Sequence, residues 1–357
     1  MPSVQNAKER LDSIIKKGRV DLYKPIQIAE VLRRSRVNGD INVRNIATFQ
    51  NPSIHWRNEV SMRLLGKIST SSARYQHDVW NPTAMPPKFL AILDEENKRT
   101  RGGVERYIYI RFSERQETVA NIITFIENAS PASFELHNLL EKFVIEAGIR
   151  RSIDKAYEIV AYSLFETVVV SLGATVKVGI PLNNRGLLAE FSDLAKVLLG
   201  LEVGKESWEL PAHIYRVGVT NAADRGLDMW ANFGPAIQVK HLTLNNELAQ
   251  TIIDQVESDS IVIVCRDADA DVIKIVAKQI SWGQRVRGIV RESELIAWYE
   301  RCLRGKYSAQ LGTHLLERLV YGFRAEFPQA NAIVDFLQER RYSSMTVDNM
   351  WATRIDI

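Results

Sequence analysis

From residue 152 to residue 304, short apolar runs alternate with segments of helical periodicity, and this alternation limits the fold more than any other feature. "SIDKAYEIVAYSLFETVVVSLG" reads as one long helix, with Ser152 as its N-cap, Lys155 near its start and Gly173 as its stop. "ATVKVGI" and "AHIYRVGVT" read as strands on either side of a helix in "LLAEFSDLAKVLLG". A hairpin follows in "GLDMWANFGPAIQVKHLTL" (226–244). Then come helix 246–257, strand "SIVIVC", helix 271–279, strand "RVRGIV" and helix 292–304, with more helices to about residue 340. Apolar strands separated by helices bury their faces in a layered sheet. The expected class is therefore α/β (α+β), a mixed central sheet flanked by helices.

The first part of the chain has another character. "LYKPIQIAEVLRRSR" (22–36) is expected to be a helix opened by Pro25, with Ile26, Ala29 and Leu32 on one face. Arg33, Arg34 and Arg36 crowd its end, where cations suit the helix dipole. "VERYIYIRF" (104–112) alternates like a strand, and helical patterns run from about 114 to 148. The 357 residues are enough for two units, expected here as a mainly helical region 1–148 and a second unit 149–357. Charge separates them too. Residues 1–90 hold 15 Lys+Arg against 7 Asp+Glu, and the remainder holds 31 against 36. A basic N-terminal quarter points to a polyanion partner, phosphate backbones being the commonest. Within it, "WRNEVSMRLLGKISTSSARYQ" (56–76) interleaves Arg57, Arg63, Lys67 and Arg74 with Trp56, Tyr75 and a run of hydroxyls. These groups suit phosphate oxygens and base edges, although a solvated helix and loop uses the same residues.

The hairpin carries the chemistry. If its arms pair about a turn near Phe233, Asp228 lies across the ladder from Gln238, and Gln238 shares a face with Lys240. A carboxylate ligates a hard divalent cation, an amide oxygen adds a second ligand, and a lysine holds a water or a phosphoryl oxygen. Such parts suit metal-assisted phosphodiester hydrolysis, in which the metal acidifies water and shields charge at phosphorus. The spacing alone is common in ordinary hairpins. What raises it above them is the apolar company of Leu227, Met229, Trp230, Ile237, Val239 and Leu242, which places these polar groups in a central sheet. Glu158 is the second indication. Its helix is apolar nearly all the way round, and a buried carboxylate needs a base or a metal. Lys155 is one available partner, and Glu166 is the alternative acid on the same helix.

Other candidates compete. "CRDADADV" sets Asp267, Asp269 and Asp271 at alternating positions after an apolar strand, with helix capping as the rival explanation. Asp224 precedes the hairpin strand, and His241 should point away from the Gln238/Lys240 face. The two cysteines, Cys265 and Cys302, are too few for a disulfide framework or a cysteine zinc site. His55, His77, His137, His213, His241 and His314 show no metal-ligand spacing. The chain has no internal repeat, no run long enough for a membrane span, and no apolar core of a signal peptide at its start. A reducing, cytoplasmic setting is expected.

An acid on one strand, then an acid or its amide, any residue and Lys on the next, with Glu on a preceding helix, resembles the PD-(D/E)xK nuclease superfamily. Here the motif is "LD…IQVK", with Gln238 where Glu or Asp is usual. Longer segments, "RVDLYKPIQIAEVLRRSRV", "WRNEVSMRLLGKISTSSARYQ", "RSIDKAYEIVAYSLF" and "ELIAWYERCLRGKY", look like the HaeII-type family of type II restriction endonucleases. That resemblance implies a restriction-endonuclease-like core in the second unit. It also implies Mg²⁺-dependent cleavage of double-stranded DNA at a short palindrome, purine-GCGC-pyrimidine for the HaeII type. A homodimer and a cognate DNA methyltransferase as functional partner go with it. Asp228, Gln238, the Val239 carbonyl and Glu158 would then hold the metal, and Lys240 would position the attacking water. A non-catalytic DNA-binding protein on a decayed nuclease fold and a structure-selective repair nuclease are the rival functions.

Overall fold

The computed structural model describes residues 3–146, 148–217, 227–327, 332–345 and 348–352. The chain opens with α1 (Val4–Lys17), α2 (Tyr23–Val37), α3 (Pro52–Leu65), α4 (Ala73–His77) and α5 (Pro87–Arg99). Next come α6 (Gly103–Glu127) and α7 (Leu136–Ile145). Pro25 and Pro52 sit in the first turns of α2 and α3, where their missing N–H costs nothing. The strand expected over 104–112 is part of α6 instead. Every residue from Gly103 to Ile110 is buried, so the alternation in "VERYIYI" does not separate an inner from an outer face. A helix buried all round loses the amphipathic period by which it is read.

The second half begins with α8 (Ile153–Ser171). Gly173 takes the left-handed conformation (φ +61°) just beyond it, as expected. Ser152 makes no side-chain capping bond; the chain enters α8 through a 3₁₀ turn over Arg150–Ser152. There follow β1 (Thr175–Gly179), α9 (Arg185–Glu190), α10 (Ser192–Leu199), β2 (Ser207–Pro211), β3 (Ile214–Arg216), β4 (Met229–Ala231) and β5 (Ala236–Leu244). The chain continues through α11 (Asn246–Gln255), β6 (Ile261–Ala268), α12 (Ala270–Ala277), β7 (Val286–Arg291) and α13 (Glu292–Arg304). It then passes through α14 (Ser308–Glu326) to α15 (Ile333–Glu339).

Five strands form one mixed sheet in the order β3-β4-β5-β6-β7, antiparallel up to β5 and parallel beyond it. The fold is therefore α/β, with a mainly helical N-terminal region. The parallel strands are nearly continuous apolar runs because helices cover both faces. Ile237, Val239, Val264 and Val290 pack with α8, α13 and α14, while Ala236, Ile261, Ile263 and Cys265 pack with α11 and α12. A separate core joins α1, α2, α3, α5 and the first half of α6, and the C-terminal residues Phe336, Tyr342 and Trp351 pack into it. The second half of α6 and α7 belong to the core under the sheet. No helix among the described residues is long and apolar enough to cross a membrane.

β1 and β2 pair antiparallel, Thr175 opposite Pro211, and carry α9 and α10 between them as an arm. The helix expected in "LLAEFSDLAKVLLG" breaks at Phe191 into these two short ones. Leu188 and Leu201 are buried within the arm, and the Trp208 indole donates to the Leu199 carbonyl at 2.5 Å.

Candidate active site

The hairpin forms with the expected register. Trp230 lies opposite Ala236 and Met229 opposite Ile237, which puts Asp228 beside Gln238 where β4 begins. Gly234 closes the turn at φ +121°, a conformation that a Cβ disfavours, while the Ala231 N–H donates to the Pro235 carbonyl at 2.9 Å. One carboxylate oxygen of Asp228, Oδ2, accepts both the Gln238 Nε2 amide at 2.6 Å and the Val239 backbone N–H at 2.7 Å. Gln238 is only 2% exposed, and its Oε1 is buried with no hydrogen-bond partner. Burial raises the Asp228 pKa; the Val239 N–H and the charges of Lys240 and Lys155 offset part of that rise, and Asp154 adds to it. Lys240 thus acts on Asp228 through space. Among the described residues its ammonium makes no hydrogen bond or ion pair.

Glu158 comes from the other side of the sheet edge, on the first turns of α8. Both its oxygens take bonds from the Lys155 ammonium at 2.7 Å, and the Arg216 Nε of β3 lies 3.7 Å away. Burial raises its pKa, with Lys155 and Arg216 pulling it down and the Asp228 charge pushing it up. Two carboxylates that each resist ionisation and disfavour each other form a place where added positive charge is stabilising. Arg216 also pairs with the buried Glu326 of α14, and Lys67 donates to the Glu326 carbonyl at 3.0 Å while standing 3.5 Å from Asp21. A chain of charges thus runs from the N-terminal helices to Glu158. Arg216 and Asp154 were not singled out from the sequence. An arginine in the apolar run "HIYRV" was the available sign for the first; Asp154, on the exposed side of α8, left none.

Glu166 has a different occupation. Its oxygens take the His213 ring at 2.9 Å and the Ile214 N–H at 2.7 Å, tying α8 to β3. His241 packs its ring on Tyr157 with centroids 4.8 Å apart, on the face away from Gln238, as the strand alternation requires. Asp267, Asp269 and Asp271 are all exposed; Asp267 accepts the Ala268 N–H, and Asp271 pairs with Lys274. Asp224 lies outside the described residues.

The basic N-terminal residues divide sharply. Arg57 is buried, donating to Gln27, Asn58 and Gln76, so it is a core group rather than a surface one. Desolvation lowers its pKa to about 10. Arg63 pairs with Glu339, and Arg74 is exposed. Acids from beyond residue 90 answer part of the local positive excess, since Arg36 pairs with Glu105 and Arg44 with Glu95.

Among the described residues no three Asp, Glu, His or Cys side chains cluster as metal ligands. The Asp228 site instead assembles one carboxylate and the partnerless Gln238 Oε1, while the Val239 main chain meets Asp228 through its N–H; the two side-chain oxygens are hard ligands of the kind Mg²⁺ takes. An orphaned amide oxygen that is almost wholly buried is costly unless something binds it.

The family model for the HaeII restriction endonuclease matches residues 7–342. The chain belongs to the HaeII restriction endonuclease family. The family's type II restriction enzymes include close relatives of it. It is 48% identical to the type II restriction enzyme HaeII of Haemophilus aegyptius over 346 residues, 96% of this chain and 98% of that one. It is 47% identical to the type II restriction enzyme NgoBI of Neisseria gonorrhoeae over 341 residues, 95% of this chain and 97% of the other. No solved structure matches.

Proposed function

We propose that this type II restriction enzyme hydrolyses double-stranded DNA at a short palindrome of the purine-GCGC-pyrimidine kind, as a homodimer that uses Mg²⁺. The observation that carries the site assignment is the buried Gln238 Oε1, without a partner, beside the doubly hydrogen-bonded Asp228. Asp228, Gln238 and the Val239 carbonyl would hold the ion, and Glu158 would support it through the surrounding field. Bound there, Mg²⁺ supplies charge neutralisation at the scissile phosphate and acidifies the attacking water. Lys240, one strand position beyond Val239, orients that water and faces the phosphoryl oxygens. Arg63, Lys67 and Arg74 are proposed to steer the phosphate backbone toward the N-terminal region, residues 1–148, with the nuclease unit in 149–357. Two-fold protein symmetry matches a palindrome, one active site for each strand. A cognate DNA methyltransferase, acting on the same sequence, protects the host DNA.

Plasmid cleavage in Mg²⁺ followed by sequencing of the ends tests the reading. Discrete fragments with one shared sequence at every end are expected from the wild type. Asp228→Ala and Lys240→Ala should bind the same duplex in Ca²⁺ without cutting it. Retardation of DNA by the wild type with no cleavage at any Mg²⁺ concentration would leave a binding protein in place of an enzyme.

A further inference from the structure

We propose that the arm formed by residues 175–211 docks into the apolar groove of a second copy of this chain, two exchanged arms closing the dimer. The inference rests on the homodimer reading and names the surface that makes it. The arm's elements pack on one another and leave an unusual amount of apolar surface in water. Leu187 is 59% exposed, Leu194 52%, Val197 82%, Leu198 70% and Val203 62%. None of the eight residues of α10 is buried. Exposed apolar side chains scattered singly are normal, but a contiguous set on one small element marks a binding surface.

The same chain carries a surface of matching chemistry. A groove of about 710 Å³ opens over the sheet, walled by Phe165 and Val169 of α8, Phe233 and Pro235 of the hairpin turn, and Trp298 and Tyr307 from α13 and the loop after it. Its rim is basic, with Arg287, Arg301 and Lys306. The arm's charges nearly balance, four Lys+Arg against five Asp+Glu over 175–211, but Arg185 and Lys196 are paired with Glu206 and Glu202, and the acids Glu190 and Asp193 stand beside its exposed leucines. Those two acids at the apolar tip suit a basic rim. Val169 and Ile214, which flank the arm in sequence, both line the groove, so each arm leaves the body at the lip of its own groove. A two-fold axis placed there lets each arm enter the other's groove. Both apolar surfaces are then covered by one self-complementary contact, the condition for a closed dimer.

Sedimentation velocity on the full-length chain tests this, with Val197→Glu/Leu198→Glu as the arm variant. Wild type should sediment as a dimer, and the variant should associate at least about 100-fold more weakly. Its melting temperature in the monomer should hold, because both side chains are exposed. A second experiment mixes a Val197→Cys chain with a Tyr307→Cys chain under oxidation. Cys265 is buried, and Cys302, which lines the groove, is replaced by alanine in both chains, so a disulfide-linked pair forming only in the mixture reports the arm of one copy in the groove of the other. A monomeric wild type overturns the proposal, as does a dimer indifferent to the arm variant, or a Val197→Cys/Tyr307→Cys double variant that closes its disulfide within one chain. Cleavage assayed on the same samples keeps the two readings apart. A monomer that cuts DNA removes the arm interface and leaves the endonuclease standing, whereas an arm-linked dimer that never cuts does the reverse.

Discussion

Replacing Gln238 by leucine separates what this amide does for folding from what it does for cleavage. The substitution removes the Nε2 donor to Asp228, a hydrogen bond to a charged group that stabilises by about 1.5–3 kcal/mol. It also removes the partnerless Oε1, whose burial costs about 1–3 kcal/mol. The two effects oppose each other, and leucine fills a similar volume on the sheet face that also carries Ala236 and Ile263. The free enzyme should therefore unfold in urea within about 1 kcal/mol of wild type. Cleavage has no such compensation. Losing an oxygen ligand at about 3 kcal/mol slows single turnover by about 100-fold or more. Gln238→Glu runs the other way. A second carboxylate beside Asp228 disfavours the ion-free state, since like charges at this spacing compete for ionisation. Added Mg²⁺ should then raise its melting temperature by more than it raises that of wild type, with cleavage retained. Both are read by thermal melting across a Mg²⁺ titration and by quenched single-turnover cleavage. A Gln238→Leu enzyme cutting within about threefold of wild type at every Mg²⁺ concentration, against the several kcal/mol a ligand supplies, would refute the site.

Asp228→Asn should abolish cleavage yet melt higher than wild type at neutral pH. Burial raises the Asp228 pKa, so its ionised form costs stability that sets in as pH rises through the folded-state value and vanishes below the unfolded-state value. The gap between the two melting curves should accordingly shrink as the pH is lowered into the acid range. Arg57→Met breaks the buried bonds to Gln27, Asn58 and Gln76 and should cost about 2–4 kcal/mol in urea unfolding. The slope of DNA affinity against salt should not move, and a flatter slope would return Arg57 to the phosphate-contact set. Glu166→Gln weakens the tie to His213, so stability should fall by about 1 kcal/mol while single-turnover cleavage stays within about twofold; Glu158→Gln should slow cleavage well beyond that.

Local pattern was enough for the hairpin and for the strands that follow it. The turn at Gly234 needs a positive φ, strand side chains alternate strictly, and the apolar runs "AIQV" and "IVIVC" have only one way to be covered on both faces. Those constraints act over a few residues, so the placing of Asp228 beside Gln238 and of Gln238 on one face with Lys240 was legible from turn and alternation, and His241 was correctly turned to the other face. What sequence could not decide is wherever burial depends on partners far along the chain. "VERYIYIRF" is helical because it is surrounded on every side, and surrounding erases the period from which a helix is read. Arg57 looks like its exposed neighbour Arg74 in the sequence, yet one is closed in by Gln27 and Gln76 and the other is open to solvent. The basic excess of the first 90 residues is answered partly by Glu95, Glu105 and Glu339, up to 276 residues away in the chain. Charge and burial are sums over space, whereas hydrogen-bonded turns and side-chain alternation are properties of adjacent residues. The strands of the site therefore followed from the sequence, and only the tertiary structure distinguished Glu158, held by Lys155 and with its pKa raised by burial and by the Asp228 charge, from Glu166, which holds β3 in place.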